Sequence, residues 1–218
     1  MAANIANRRK TYIKQPGLMR KSPKRFCILT NVLIGVDITI PNGVREIPEN
    51  CFRQCFALKK VYFSEGVCNV GMSAFEECSN LREVYFPSTI ERISIPFVDC
   101  DNLKIVSFAS GSRFVSENNV IRTKNWDEIV CVWGASSRAW NSFKIPETVR
   151  KIGDAAFIGC EKLRAIHIPS SVEEIGINPF ICDNVAKSGM SAVQLVLLAI
   201  ANFGHPISIN DKTHGIRL

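Results

Sequence analysis

Nine cysteines, three histidines and three tryptophans are the side chains in this 218-residue sequence best suited to metal binding, nucleophilic chemistry or anchoring. Cys51-x3-Cys55 is the nearest approach to a metal-ligand pair, but no C-x-x-C and no close Cys/His cluster exists, so no zinc ligand set forms. His167, His205 and His214 lack a serine, cysteine or carboxylate at a spacing that would orient a nucleophile and its base. Neither a glycine-rich phosphate loop nor a dinucleotide fingerprint occurs. The expectation is a non-enzymatic chain with no catalytic residues, metal, cofactor or small-molecule substrate. Trp126, Trp133 and Trp140 imitate a heptad, yet "EIVCVWG" reads as a strand and "NWDE" as a turn. Trp133 is then either buried in a hairpin or an anchor for carbohydrate or protein.

The residues that remain need a scaffold, and the scaffold is repetitive. "IPNGVREIPENCFRQCFAL" (40–58) and "IPETVRKIGDAAFIGCEKL" (145–163) superpose without a gap, apolar letters in register. Related phrases begin at Phe63, Phe86 and Ile168, so the steps are 23, 23, 59 and 23 residues. Neither a period of 3.6 nor one of 2 holds across a unit, so each unit mixes element types. "LRAIHIP" alternates like a short strand ended by proline, and "GDAAFIGCEKL" reads as a helical turn with Phe157 and Cys160 on one side. One such unit cannot bury its apolar side alone; stacked copies share a continuous core, and at least five copies are present.

The pattern I-P-x-x-V-x-x-I-x-x-x-A-F-x-x-C-x-x-L-x-x-[IV] resembles the BspA-type leucine-rich repeats over residues 36 to 182. The resemblance implies an α/β right-handed solenoid, with parallel strands on one face and short helical turns on the other. It also implies a longer island unit at about 114–142, where a hairpin (120–122, a turn at 124–127, then 129–133) precedes the next strand. Residues 1–35 read as a basic tail or partial cap, 36–183 as the solenoid, and 184–218 as a C-terminal cap with an apolar helix at about 190–203. "HPISIN" (205–210) could supply a last strand. The third unit is one residue short and carries Pro96-Phe97 in place of A-F, which predicts a distorted turn. Cys55, Cys78, Cys100 and Cys160 share one repeat position, where a cysteine acts as a small buried hydrophobe. Stacked side chains there point the same way, which suits thiols rather than disulfides.

Strand alternation sends Val61, Phe63, Val84, Phe86, Val106, Phe108, Phe143, Ile145, Ile166 and Ile168 inward. Tyr62, Tyr85, Ser107, Lys144 and His167 then face out, flanked by Lys60, Glu83, Ile105, Ser142 and Ala165. Two tyrosines in register beside a Lys60/Glu83 pair make an amphipathic patch of the kind that anchors a protein partner, although tyrosine also simply suits strands.

A second candidate is the tail. Arg8, Arg9, Lys10, Lys14, Arg20, Lys21, Lys24 and Arg25 fall within residues 1–25 with no acid, leaving 19 cations against 20 acids in the rest. Such a cluster can bind nucleic acid or an anionic membrane, or can merely solubilise. The N-terminus lacks the apolar run of a secretory signal, and the longest apolar stretch, 192–203, is too short to span a bilayer. A monomer in the cytoplasm is the expectation from these features; the family resemblance adds the cell surface as the other location.

Overall fold

The computed structural model describes residues 10–12, 36–134, 140–160, 163, 165–169, 171–177, 179 and 207–208. Two compact units divide the chain: residues 1–119 with 133–135, and residues 120–132 with 136–218. The predicted helix at 190–203, and the tail apart from residues 10–12, lie outside the described residues.

In the first unit, β1 (Lys10–Tyr12), β2 (Val36–Ile40), β4 (Leu58–Phe63), β6 (Glu83–Phe86) and β8 (Ile105–Phe108) form one parallel sheet in that order. Alternating apolar and polar residues build these strands, and Pro41 and Pro87 follow β2 and β6 because proline cannot donate to the ladder. A second parallel sheet runs β3 (Glu46–Ile47), β5 (Asn69–Val70), β7 (Arg92–Ile93). Translation by one coil brings like side chains together at about the 4.8 Å strand spacing. Phe52 stacks on Phe75 at 5.0 Å, Phe63 on Phe86 at 4.9 Å, and Phe86 on Phe108 at 5.0 Å. Ile38, Ile40, Val61, Val84, Phe52 and Phe75 are fully buried beneath the sheet.

The helical turns predicted on the other side of the coil are absent among the described residues. Segments 49–54, 72–77 and 154–159 are runs of turns. Each carries two positive-φ residues four apart: Asn50 and Gln54, Ser73 and Glu77, Ala155 and Gly159. A left-handed residue once per turn breaks an i→i−4 ladder. The N–H groups alternate instead. Those of Asn50, Phe52 and Gln54 donate to Met72, Ala74 and Glu76 carbonyls of the next coil at 3.0, 2.7 and 2.8 Å, whereas those of Cys51, Arg53 and Cys55 donate three residues back. Phe157 and Cys160, three apart, suit this arc as well as a helix, which is why spacing alone misreads it. The short third unit keeps the ladder through Ser73 N–H to Ile95 O and Phe75 N–H to Pro96 O. Ile95 and Asp99, at φ 38° and 55°, repeat the positive-φ pair of the other coils, and the missing residue shows only as a step of 21 residues from Phe75 to Pro96 and from Glu77 to Val98.

At the shared cysteine position Cys78, Cys100 and Cys160 are buried thiols, and Cys78 and Cys100 each donate to a phenylalanine carbonyl of the preceding coil at 3.0 Å. Cys55 departs from the expectation, being disulfide-bonded. Strand β9 (Phe114–Glu117) completes the unit, where Trp133 is buried with its indole N–H on Ser116 Oγ at 3.0 Å. Burial, the first of the two roles foreseen for Trp133, is what the structure shows.

In the second unit, β10 (Val120–Thr123) and β11 (Glu128–Val132) form the antiparallel island hairpin. β11 pairs in parallel with β13 (Lys151–Ile152), and β13 with β15 (Glu174–Ile175). The strand from "HPISIN" is β16 (Ile207–Ser208), antiparallel to β15. β12 (Ser142–Lys144) and β14 (Ala165–His167) form a parallel pair. Ile129, Ile145, Ile152, Phe157 and Ile175 are among the core residues of this unit, with Trp126, Trp140 and Phe143 packed on them.

Candidate partner-binding face

Val61, Phe63, Val84 and Phe86 are pinned in the core, so the residues between them are presented on the other side of the first sheet as rigid pairs. Tyr62 and Tyr85 are register partners whose rings stack at 4.8 Å with planes 3° apart. Lys60 and Glu83 are register partners too, with Nζ to Oε2 at 2.8 Å, and the Tyr85 hydroxyl donates to the same Oε2 at 2.7 Å. One carboxylate oxygen thus ties the cation to the aromatic pair. The electrostatics follow: the hydrogen bond to Glu83 raises Lys60, with Asp37 adding to the effect, and Lys60 and Tyr85 together lower Glu83. Glu83 also raises the Tyr85 phenol above its usual value.

Strand register extends both rows. Asp37, Lys60, Glu83 and Ile105 align across β2, β4, β6 and β8; Thr39, Tyr62, Tyr85 and Ser107 align beside them. Lys10 and Tyr12 of β1 hold the register positions opposite Asp37 and Thr39. Each tyrosine covers one face of the other, leaving small residues, Thr39 and Ser107, at the register positions on the two outer sides. Ile105, 43% exposed, adds an apolar spot. The set offers ring edges, one apolar side chain and an internally balanced ion pair, an arrangement suited to protein contact.

Of the residues foreseen from sequence, Lys60, Tyr62, Glu83, Tyr85 and Ser107 lie together on this sheet. Lys144 and His167 lie on the separate β12–β14 pair, opposite each other, with Lys144 exposed. Lys10 sits in β1, while Arg8, Arg9, Arg20, Lys21, Lys24 and Arg25 lie outside the described residues. Asp37 and Thr39 went unread because VDITI has no aromatic residue to draw notice. The 23-residue step back from Lys60 and Tyr62 finds both. Arg122 was also missed: it is buried, donates to the Thr123 and Lys124 carbonyls at 2.9 and 3.2 Å, and lies over the Trp126 ring at 3.9 Å. It locks the hairpin turn, where the Thr123 hydroxyl also bonds the Asp127 carboxylate.

Among the described residues no group of His, Cys, Asp and Glu side chains converges to hold a metal ion, and no helix is long and apolar enough to cross a membrane. An open groove of about 500 Å³ in the first unit is lined by Gly43, Arg45, Gly66, Cys68, Thr89 and Glu91.

The profile of the BspA type leucine rich repeat region matches six copies, over residues 31–131 and 135–193. The chain belongs to the BspA-type leucine-rich repeat family. Among solved structures, this BspA-type chain is similar to a leucine rich cell surface protein from Faecalibacterium prausnitzii, with 29% identity, a TM-score of 0.50, and coverage of 66% of this chain and 38% of that one. It also resembles a leucine-rich repeat protein from Eubacterium ventriosum, at 18% identity and a TM-score of 0.42, covering 84% and 57% of the two chains. The pneumococcal vaccine antigen PcpA is a further neighbour, at 17% identity and a TM-score of 0.37, covering 63% and 51%. The chain therefore spans less than two thirds of each of these neighbours. No curated protein matches it. Family and fold together make this BspA-type chain an array of stacked leucine-rich repeats.

Proposed function

We propose that the chain captures a protein partner on the exposed strand face centred on Tyr62 and Tyr85. The stacked pair tied to Lys60 through Glu83 is the observation that carries this reading. Hot spots at protein interfaces are enriched in tyrosine held rigid before binding, because little side-chain entropy is then lost on association. The test replaces both rings, Tyr62→Ala with Tyr85→Ala, and compares affinity capture by the variant and the wild type while far-UV dichroism and melting are monitored. The expected result is loss of the wild-type partner with an intact fold; equal capture by the variant refutes the reading. Location follows the same reading. The Faecalibacterium neighbour is described as a cell surface protein, which supports display outside the cytoplasm.

The eight cations in residues 1–25 support a second reading, in which the tail binds nucleic acid or anionic membrane. A chain beginning at Phe26 separates the two. Loss of steeply salt-dependent binding to duplex DNA or phosphatidylserine vesicles assigns it to the tail. Unaltered binding assigns it to the repeats.

A further inference from the structure

Four cations of this chain are neutralised along the coil axis. Arg53, Lys60, Arg150 and Lys151 each pair with the glutamate 23 residues on, Glu76, Glu83, Glu173 and Glu174. Lys59, Arg82 and Lys104 do the opposite. They share one repeat position, directly after the buried Leu58, Leu81 and Leu103, so each stands against another cation. The Arg82 N–H donates to the Lys59 carbonyl at 2.8 Å and the Lys104 N–H to the Arg82 carbonyl at 2.9 Å. Three positive charges therefore stand in line over two coil spacings, about 10 Å. Arg82 and Lys104 are exposed, Lys59 is half-buried, and none makes an ion pair or side-chain hydrogen bond among the described residues. Like charges directly opposite each other across strands are destabilising, so the row is a cost to the fold that an anionic ligand would remove.

We propose that Lys59, Arg82 and Lys104 form a linear strip that binds an acidic polysaccharide, a chain bearing a sulfate or carboxylate on its sugar units. The strip is one residue wide. One residue further on lies the row Asp37, Lys60, Glu83 and Ile105, and three residues back the same coils hold Phe56, Ser79 and Asp101. A duplex or a membrane surface broad enough to cover the strip presses its phosphates on Asp37, Glu83 and Asp101. A single-stranded nucleic acid needs successive rings for its bases, whereas Phe56 is the one ring at its position and Tyr62 and Tyr85 already stack on each other. An extended acidic peptide turns alternate side chains to one face, about 7 Å apart and out of step with coils at about 4.8 Å. An extended pyranose chain advances by close to one coil spacing per unit, so successive anionic groups meet successive cations. The strip is separate from the tyrosine pair of the partner face, and its ligand does not depend on that pair.

Acetylation of the full chain with a succinimidyl ester, read by mass spectrometry, reports each lysine separately, so binding by the basic tail is not mistaken for binding by the strip. The probes are heparin and polygalacturonate, with oligothymidylate and polyglutamate as competing polyanions. At about ten times the half-saturating concentration, heparin or polygalacturonate should slow acetylation of Lys59 and Lys104 about ten-fold by mass action. Lys151, held by Glu174, should be unchanged. Protection by one of the two alone assigns the strip to that anion. Arg82→Gln should weaken the protection and Arg82→Glu abolish it, with far-UV dichroism unaltered. Arg150→Gln, which removes a paired cation of the other unit, should leave it intact. Absence of protection, equal slowing of Lys151, or protection that survives Arg82→Glu overturns the proposal. Equal or stronger protection by oligothymidylate or polyglutamate overturns the polysaccharide assignment.

Discussion

Phe75→Ala tests the stacking that everything else rests upon. Phe75 is fully buried and touches three rings in neighbouring positions: Phe52, stacked at 5.0 Å; Phe97, at 5.8 Å and 30°; and Phe63, edge-on at 6.1 Å and 86°. Truncating a buried phenylalanine costs about 3 to 5 kcal/mol, and each aromatic pair adds about 0.5 to 1.5 kcal/mol beyond the area buried. With three pairs lost and a cavity flanked on both sides by coils that cannot slide, the expectation is the upper end, about 4 to 5 kcal/mol. At a urea slope of about 2 kcal/mol/M the midpoint should fall by about 2 M, read by far-UV dichroism. Phe56→Ala supplies the internal control, since that ring is 45% exposed and its loss should cost within about 0.5 kcal/mol. A cost for Phe75→Ala below about 1.5 kcal/mol, or one matching the control, would mean that coils do not share their core as argued.

Glu83 is held below its usual 4.5 by Lys60 and Tyr85, so its contribution is present above that value and fades as pH falls through the folded pKa. The melting difference between wild type and Glu83→Gln should therefore shrink below pH 4.5; a difference that stays constant into acid would contradict the shared-oxygen geometry. Burial pushes the Cys51, Cys78 and Cys131 thiols up to about 12, whereas Cys68 is half-buried and lines the open groove. Ellman's reagent on the native chain should lose one reacting equivalent in Cys68→Ser and none in Cys78→Ser, with the buried thiols reacting only in denaturant. A Cβ at Gly71 would stand 2.6 Å from Glu49 N and 2.9 Å from Pro48 C, both main-chain atoms of the preceding coil. Gly71→Ala should cost about 1 to 3 kcal/mol in chemical denaturation; a neutral result would show that the coils are free to separate.

Much of this architecture is legible because a repeat converts sequence distance into spatial contact. Residues one step apart meet at strand spacing, so the inward positions, the Phe52–Phe75 pairing and the register of Tyr62 with Tyr85 can be read from the 23-residue step. The island hairpin is what the resemblance to the BspA-type repeats implies. Tertiary structure alone decided the arcs at 49–54, 72–77 and 154–159, whose N–H groups are divided between their own chain and the next coil. Local propensity favours a helical turn there, and only a neighbour's carbonyls in place make alternation the better choice. The same holds for the single Glu83 oxygen shared by Lys60 and Tyr85, the pairing of β1 with β2, and the Cys55 disulfide. Each depends on where one atom lies relative to another coil or segment, a quantity that residue type and spacing do not encode.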